Sequence, residues 1–98
     1  MRILIVKLSS LGDVIQTIPA LHDLRSADPS AVVDWVVEEA FAPLLSANVD
    51  GIARVLPIAQ RRWRKNRFDA QVRAERAAFT NLLQEQRYDA VIDFQGLV

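Results

Sequence analysis

Four short apolar segments are spaced along the chain, and several of their residues are β-branched. They are Ile3–Val6, Val32–Val37, Arg54–Ile58 and Ala90–Phe94. Most of their apolar positions follow one another directly instead of alternating with polar ones. This pattern is typical of strands that are covered on both faces, as in a parallel sheet packed between helices. The sequence therefore predicts four strands in one layered sheet.

Helical periodicity separates these strands. Apolar residues recur at spacings of three and four before the second strand and again before the fourth, and a shorter helix is predicted over Glu39–Ser46. Alternating strands and helices joined by short loops favour right-handed crossovers. The predicted fold is α/β, a Rossmann-like parallel sheet in the order 3-2-1-4 flanked by helices. The periodic residues are Val14, Ile18, Leu21 and Leu24, then Val72, Phe79, Leu82 and Leu83.

Pro19 conflicts with a straight first helix. A proline inside a helix lacks the backbone donor and crowds the carbonyl four residues earlier, which is that of Ile15. We expect either a kink near Ile15–Pro19 or a helix that begins at Thr17.

Composition sets wide limits on function. The chain has 98 residues, with twelve basic and twelve acidic side chains and no cysteine. It has room for one small domain, and it has no thiolate for a disulfide or a metal site. No apolar run approaches the roughly 20 residues that span a bilayer. The start is too short for a signal peptide, so we expect a cytoplasmic protein. Because the sequence stops after a strand and its loop, we expect an incomplete domain.

The segment "KLSSLGDVIQTIPAL", residues 7–21, follows the first strand. Ligands of open parallel sheets bind beyond the carboxyl ends of the strands, which is where this loop lies. The loop has only Gly12, whereas phosphate-binding loops need several glycines or Gly-Lys-Ser/Thr. Asp13 is either a helix cap, worth about 0.5–2 kcal/mol, or a functional carboxylate that accepts a substrate proton. Ser9 and Ser10 could hold substrate hydroxyls or satisfy the backbone of the turn.

The segment "RRWRKNR", residues 61–67, follows the third strand and should lie at the same edge of the sheet. From residue 61 to residue 76 there are seven basic and two acidic side chains, a net charge of +5 in a neutral chain. Arginine clusters suit phosphate groups, and Trp63 could stack on a ligand or rest at a membrane interface. Three readings stay open: a solvated helix face, a nucleic-acid site and a site for a phosphorylated lipid or sugar. Nucleic acid ranks low, because there is one patch and no overall basic excess.

Several segments of the sequence resemble the motifs of a known family. "MRILIVKLSSLGDVIQTIPAL", "VDWVVEEAF", "IAQRRWRK" and "YDAVIDFQGLV" occur in the order and at about the spacing seen in the lipopolysaccharide heptosyltransferases, ADP-heptose glycosyltransferases of the GT-B fold. The resemblance covers essentially all 98 residues. "DWVVEE" and "RRWRK" point to type I members of this family.

The resemblance implies an inverting transfer, without a metal or other cofactor, of L-glycero-D-manno-heptose from ADP-heptose to a Kdo sugar on lipid A. It implies that Asp13 is the general base. Residues 1–98 would be an incomplete N-terminal, acceptor-binding domain, inactive alone, and a C-terminal domain outside this sequence would bind the donor. The protein would be cytoplasmic and peripheral on the inner membrane, with no nucleic-acid partner. The predicted acceptor-binding residues are Ser9, Ser10, Gly12, Arg61, Arg62, Trp63, Arg64 and Lys65.

Two other classes of function stay open. One is a non-enzymatic or nucleotide-binding Rossmann-like module whose basic loop contacts a polyanionic partner. The other is an NAD-dependent enzyme, because Glu38 and Glu39 follow the second strand as an acidic ribose clamp does. That second alternative lacks the glycine fingerprint, so we expect no binding of NAD.

Overall fold

A computed structural model of the protein describes residues 1–95. The last three residues of the "YDAVIDFQGLV" motif lie outside the described residues. The predicted strands are present, with ends that differ by no more than one residue. In chain order the elements are β1 (Arg2–Val6), α1 (Leu11–Ala27), β2 (Val32–Glu38), α2 (Ala42–Asn48), β3 (Arg54–Ile58), α3 (Gln60–Lys65), α4 (Ala70–Gln84) and β4 (Ala90–Asp93).

The four strands form one sheet in which all neighbours are parallel, in the order β3-β2-β1-β4. This confirms the predicted fold class and strand order. Because the strands are parallel, their carboxyl ends share one edge of the sheet. The loops that follow β1, β2 and β3 therefore meet at that edge.

One face of the sheet packs against α1 and α2. Ile5, Val33, Trp35 and Val37 on this face are fully buried or nearly so, together with Val14, Leu21 and Leu45 from the two helices. Burying a large apolar side chain contributes about 1.5–3 kcal/mol before the entropy of ordering it is counted. This face holds the largest apolar cluster in residues 1–95.

The opposite face packs against α4. Leu4, Val36 and Leu56 from three adjacent strands are buried there, and Phe79 and Leu83 of α4 pack on them. Consecutive residues of β1 and β2 therefore face different helices, and both faces need apolar side chains. This is why the two central strands read as continuous apolar runs.

The first helix starts well before Thr17, one of the two alternatives that Pro19 suggested. α1 begins at Leu11 and continues through Pro19, so a start at Thr17 is wrong. Ile15 and Pro19 both lie on the exposed side of α1, while Val14 and Leu21 are buried. The carbonyl that Pro19 leaves without a partner can therefore be hydrated, and the packed face keeps the helix intact. No helix in residues 1–95 is long and apolar enough to cross a membrane.

The second helix starts later than predicted. Residues 39–41 form a turn, and α2 begins at Ala42 rather than Glu39. The amide of Glu39 donates to the carbonyl of Ile58 (2.8 Å), which keeps the chain paired with β3 at this point. Pro43 then lies in the first turn of α2, a position where its fixed φ and missing N–H are tolerated.

Candidate functional site

The loop that joins β1 to α1 is held in place by side chains from β2 and from the segment that follows β4. The indole Nε1 of Trp35 donates to the carbonyl of Lys7 (3.1 Å). The amides of Leu8 and Ser9 both donate to Oε1 of Gln95, at 3.0 and 3.4 Å. Gln95 therefore anchors the loop.

Asp13 lies in the first turn of α1, but it is not the residue that caps the helix. Ser10 occupies the N-cap position, and its side chain makes no capping hydrogen bond to the backbone. The Ser10 hydroxyl instead donates to Oδ2 of Asp13 at 3.3 Å. Within residues 1–95 this is the single hydrogen bond to the Asp13 carboxylate, and the side chain is exposed. The carboxylate is therefore accessible to a ligand at the edge of the sheet.

Gly12 has no steric reason to be glycine. A Cβ built at Gly12 would meet no atom within 4 Å. Gly51 differs, because its φ is +94° and a Cβ there would lie 2.7 Å from Cδ of Arg25. The fold thus requires glycine in the turn before β3 and not in the first turn of α1, where the bare backbone leaves room for a ligand to approach.

The basic segment after β3 is a short helix with two different sides. Arg61, Arg64 and Lys65 are spaced at i, i+3 and i+4, so they share one side of α3. All three are exposed and make no salt bridge within the described residues. Arg62 and Trp63 point the other way, toward α4.

Arg62 belongs to an ion-pair network. Its Nη2 lies 2.6 Å from Oε1 of Glu75 on α4, and its Nε lies 3.2 Å from Oε2 of Glu39. The indole Nε1 of Trp63 donates to the same Glu75 oxygen at 2.9 Å. These hydrogen bonds, from Arg62 first and then from Trp63, lower the pKa of Glu75 to about 2. Arg62 therefore fixes α3 against α4 and is less available to an acceptor than its neighbours.

Trp63 is a packing residue. Only 9% of it is exposed, and it forms a buried cluster with Ala59 and Val72. Its ring meets that of Phe79 edge to face, with centroids 6.0 Å apart and planes at 65°. Stacking on a ligand or resting at a membrane interface would need an exposed ring. The structure contradicts both of those expectations for Trp63.

The β1–α1 loop and the free side of α3 line one cleft. Its volume is about 670 Å³, enough for a sugar-sized ligand. Asp13 adjoins this cleft through its hydrogen bond with Ser10. The residues that line it are Ser9, Ser10, Glu38, Ala40, Phe41, Gln60, Arg61, Arg64 and Lys65.

Glu38 also lines the cleft, although its position in the sequence suggested only a ribose clamp. It ends β2 and lies between α3 and the β1–α1 loop, which contains Ser9 and Ser10 and is called the serine loop. Burial raises the pKa of Glu38, and the neighbouring Glu39 raises it further, while a hydrogen bond from the Gln60 backbone and the charge of Arg61 oppose the shift. The signal that could have identified it is its position at the carboxyl end of the strand beside β1.

This cleft offers a carboxylate, hydroxyl groups and unpaired cations at one edge of a sheet. The cations can bind phosphate or carboxylate groups through charge-assisted hydrogen bonds. The Asp13 carboxylate can accept a proton from a hydroxyl group held beside it.

The chain resembles curated bacterial lipopolysaccharide heptosyltransferases over its whole length. It is 56% identical over 98 residues to lipopolysaccharide heptosyltransferase 1 of Escherichia coli K12, 53% to that of Salmonella typhimurium and 51% to that of Pseudomonas aeruginosa. The chain spans 30%, 31% and 27% of the lengths of these relatives. No family model matches the chain.

Solved structures agree with the sequence comparison. The structure of E. coli heptosyltransferase WaaC with ADP superposes with a TM-score of 0.91 at 56% identity, covering 99% of this chain and 30% of that one. A glycosyl transferase family 9 structure from Veillonella parvula superposes with a TM-score of 0.70 at 26% identity, covering 94% of this chain and 25% of that one. The resemblance found in the motifs is thus confirmed in sequence and in fold.

Proposed function

We propose that this chain is the acceptor-binding part of a lipopolysaccharide heptosyltransferase. The whole protein would transfer heptose from ADP-heptose to the Kdo of Kdo-modified lipid A, at the cytoplasmic face of the inner membrane. The observation that carries the proposal is the cleft in which the Ser9–Ser10 loop, with Asp13 beside it, faces the cations of α3. The identity to named heptosyltransferases over all 98 residues supports the reaction class.

In the proposed reaction Asp13 is the general base. A hydroxyl oxygen of Kdo attacks the anomeric carbon of the heptose and forms the new glycosidic bond. The bond from that carbon to the ADP oxygen breaks, ADP leaves with the electron pair, and the configuration inverts. The hydroxyl proton passes to the Asp13 carboxylate. The Ser10 hydroxyl, which donates to Oδ2 of Asp13, positions the carboxylate for this transfer.

The cations of α3 hold the acceptor. Arg61, Arg64 and Lys65 would bind its carboxylate and phosphate groups, because each is exposed and makes no salt bridge within residues 1–95. Ser9 and Gly12 would contact acceptor hydroxyls through the side chain and the open backbone. Arg62 and Trp63 would act by keeping α3 in place.

A second domain would bind the donor. The WaaC structures hold ADP or ADP-2-deoxy-2-fluoro heptose, and this chain covers 30% of each. The β1–α1 loop lacks the glycines of a phosphate site, which agrees with a donor bound elsewhere. We therefore expect residues 1–98 alone to be inactive.

Replacing the base tests the mechanism. In the full-length protein, Asp13→Asn should lower turnover by about 10²–10⁴-fold while acceptor binding stays near normal, since the amide keeps the shape and cannot accept the proton. Asp23→Asn, also exposed on α1, is the matched control and should keep full turnover. Unchanged turnover in Asp13→Asn would remove Asp13 as the base.

Removing the cations tests the acceptor site. Arg61→Gln and Arg64→Gln should each raise the KM for the acceptor about tenfold or more, with little change in the KM for ADP-heptose. Equal changes for both substrates would contradict the assignment. Absence of heptose transfer, combined with equal binding of lipid A phosphates and unrelated polyanions, would favour the module for a polyanionic partner.

A further inference from the structure

Basic side chains continue beyond the cleft. Arg67, Arg73 and Arg76 lie between the end of α3 and the middle of α4, and none of them makes a salt bridge within the described residues. Asp69, the nearest carboxylate in sequence, accepts the amides of Gln71 and Val72 at the start of α4. Three arginines beside this one carboxylate leave the surface with a net positive charge.

Phe68 stands among these arginines. It is 84% exposed, the most exposed large apolar side chain among residues 1–95. The guanidinium carbon of Arg67 lies 5.2 Å from the centroid of its ring. Phe68, Arg73 and Arg76 also line one shallow surface together with Arg67. Apart from this contact with Arg67, the exposed ring stays in water, and a ring beside cations matches a membrane surface, which has anionic headgroups above an apolar interior.

We propose that Phe68, Arg67, Arg73 and Arg76 form a docking surface for an anionic lipid bilayer. The phenyl ring would enter the interfacial region, where removing it from water is favourable. The three guanidinium groups would bind lipid phosphates by charge-assisted hydrogen bonds, and such cations strengthen adsorption to anionic membranes. We name this set the Phe68 surface.

The Phe68 surface is continuous with the acceptor cleft. A neighbouring cavity of about 640 Å³ is lined by Arg64, Arg67 and Arg76, and Arg64 also lines the cleft beside the serine loop. Cations therefore lead from the docking surface to the site of the reaction. This orientation rests on the proposed function, since it would present the cleft to an acceptor anchored in the same bilayer.

The exposed ring favours a membrane over a nucleic acid. Electrostatic binding of RNA or DNA would use the arginines alone or would stack bases on several aromatic side chains. Within the described residues Trp63 is buried and Phe79 is partly buried, so Phe68 is the exposed aromatic side chain of this region. A single exposed ring suits insertion better than serial stacking.

Vesicle binding of the full-length protein tests the proposal. Cosedimentation with phosphatidylcholine vesicles that contain phosphatidylglycerol should exceed cosedimentation with phosphatidylcholine alone. Arg73→Gln and Arg76→Gln should each weaken binding about fivefold. Phe68→Ser should weaken binding by a similar factor and should do so at high salt as well, where the charges are screened. Leu44→Ser, exposed on α2, and Arg87→Gln, an exposed arginine beyond α4, are the matched controls and should bind as the unaltered protein does.

A second assay separates this proposal from the proposed function. Phe68→Ser should leave heptose transfer to a deacylated, water-soluble acceptor unchanged and reduce transfer to the same acceptor embedded in vesicles. If the unaltered protein transferred no heptose to the water-soluble acceptor, the proposed function would be contradicted, while the result of the vesicle assay would still hold. The docking surface would be overturned if Phe68→Ser bound vesicles as the unaltered protein does, or if Leu44→Ser lost as much vesicle binding as Phe68→Ser. It would also be overturned if RNA competed for the same arginines and the Phe68 variant had no effect.

Discussion

Two clusters of charged residues lie at opposite ends of the same sheet, and they are built in opposite ways. At the amino ends of the strands, Asp34 of β2 is fully buried and contacts Arg54 of β3 and Tyr88 before β4. At the carboxyl ends, Asp13, Arg61 and Arg64 are exposed and make no salt bridge among residues 1–95. The first cluster is internally compensated and the second is open to a ligand.

The Asp34 cluster joins three parts of the chain. Oδ2 of Asp34 accepts hydrogen bonds from Nε of Arg54 at 3.1 Å and from the Tyr88 hydroxyl at 2.5 Å. Arg54 also bonds to Glu85 and to the carbonyl of Leu82 at the end of α4. Burial raises the pKa of Tyr88, and its hydrogen bond to Asp34 raises it further. Oδ1 of Asp34 is buried and has no hydrogen-bond partner in the described part of the chain.

The difference between the clusters follows from desolvation. A buried carboxylate costs several kcal/mol unless donors surround it, so nearby groups in the Asp34 cluster are committed to Asp34. An exposed arginine keeps its hydration and needs no internal partner. Charges that the fold does not use are free to bind a ligand, and the cleft contains such charges.

The largest expected effect is the loss of Arg54. Arg54→Met should lower the free energy of unfolding by about 3–5 kcal/mol, because the buried Asp34 then loses its hydrogen-bonded cation and keeps only Arg2, whose Nη1 lies 4.0 Å from Oδ2. Chemical denaturation measures the change. The double variant Asp34→Leu with Arg54→Met should regain most of it, since both charges are then gone. A loss below about 1 kcal/mol in the single variant would show that Asp34 does not need this partner.

Removing the phenolic hydroxyl should have a smaller effect. Tyr88→Phe keeps the ring that packs beside Leu4 and Leu56 and removes one donor to Asp34. We expect the free energy of unfolding to fall by about 1–3 kcal/mol, the usual result when a buried acceptor loses its partner. An unchanged denaturation midpoint would mean that Arg54 satisfies Asp34 alone.

Acid should weaken the contact between α3 and α4. The folded-state pKa of Glu75 is about 2, below its ordinary value of 4.5, because Arg62 and Trp63 donate to it. Its contribution is therefore complete above pH 4.5 and is lost as the pH falls toward 2. Glu75→Gln should flatten this part of the curve of stability against pH, and the exposed Asp50→Asn should not. Parallel curves for Glu75→Gln and the unaltered protein would contradict the assignment.

The smallest effect on stability should come from the open cluster. Arg61→Met and Arg64→Met should change the free energy of unfolding by no more than about 0.5 kcal/mol, since neither side chain has a salt-bridge partner among residues 1–95. Thermal unfolding of these two variants, measured together with that of Arg54→Met, compares the two clusters directly. A loss of several kcal/mol in Arg64→Met would show that the two clusters are not different in kind.

The fold could be predicted from the sequence because local apolar patterns indicate its strands and helices. The apolar runs of β1 and β2 and the periodicity of Val14 and Leu21 indicated both faces of the sheet. The start of α1 could not be read from Pro19, since the outcome depended on which side of the helix faced water. The extent of α2 was misjudged because Glu39 pairs with the carbonyl of Ile58, a contact between distant segments.

The candidate site could be predicted only in part. Composition and spacing indicated Asp13 and the cations of α3, but they did not separate Arg62 from its neighbours. Pairing with Glu75 depends on how α3 packs against α4, which no local pattern reports. The same packing buries Trp63, and the ends of the parallel strands bring Glu38 into the cleft.

The sequence by itself determined which segments become strands and helices, and hence the edge of the sheet to which the serine loop and the basic segment belong. These properties follow from near-neighbour sterics and from apolar periodicity. Only the tertiary structure decided which charges are paired, because the salt bridges of residues 1–95 join side chains from separate segments of the chain. This pairing leaves Arg61 and Arg64 available to a ligand, whereas Arg54 and Arg62 form salt bridges that stabilise the fold.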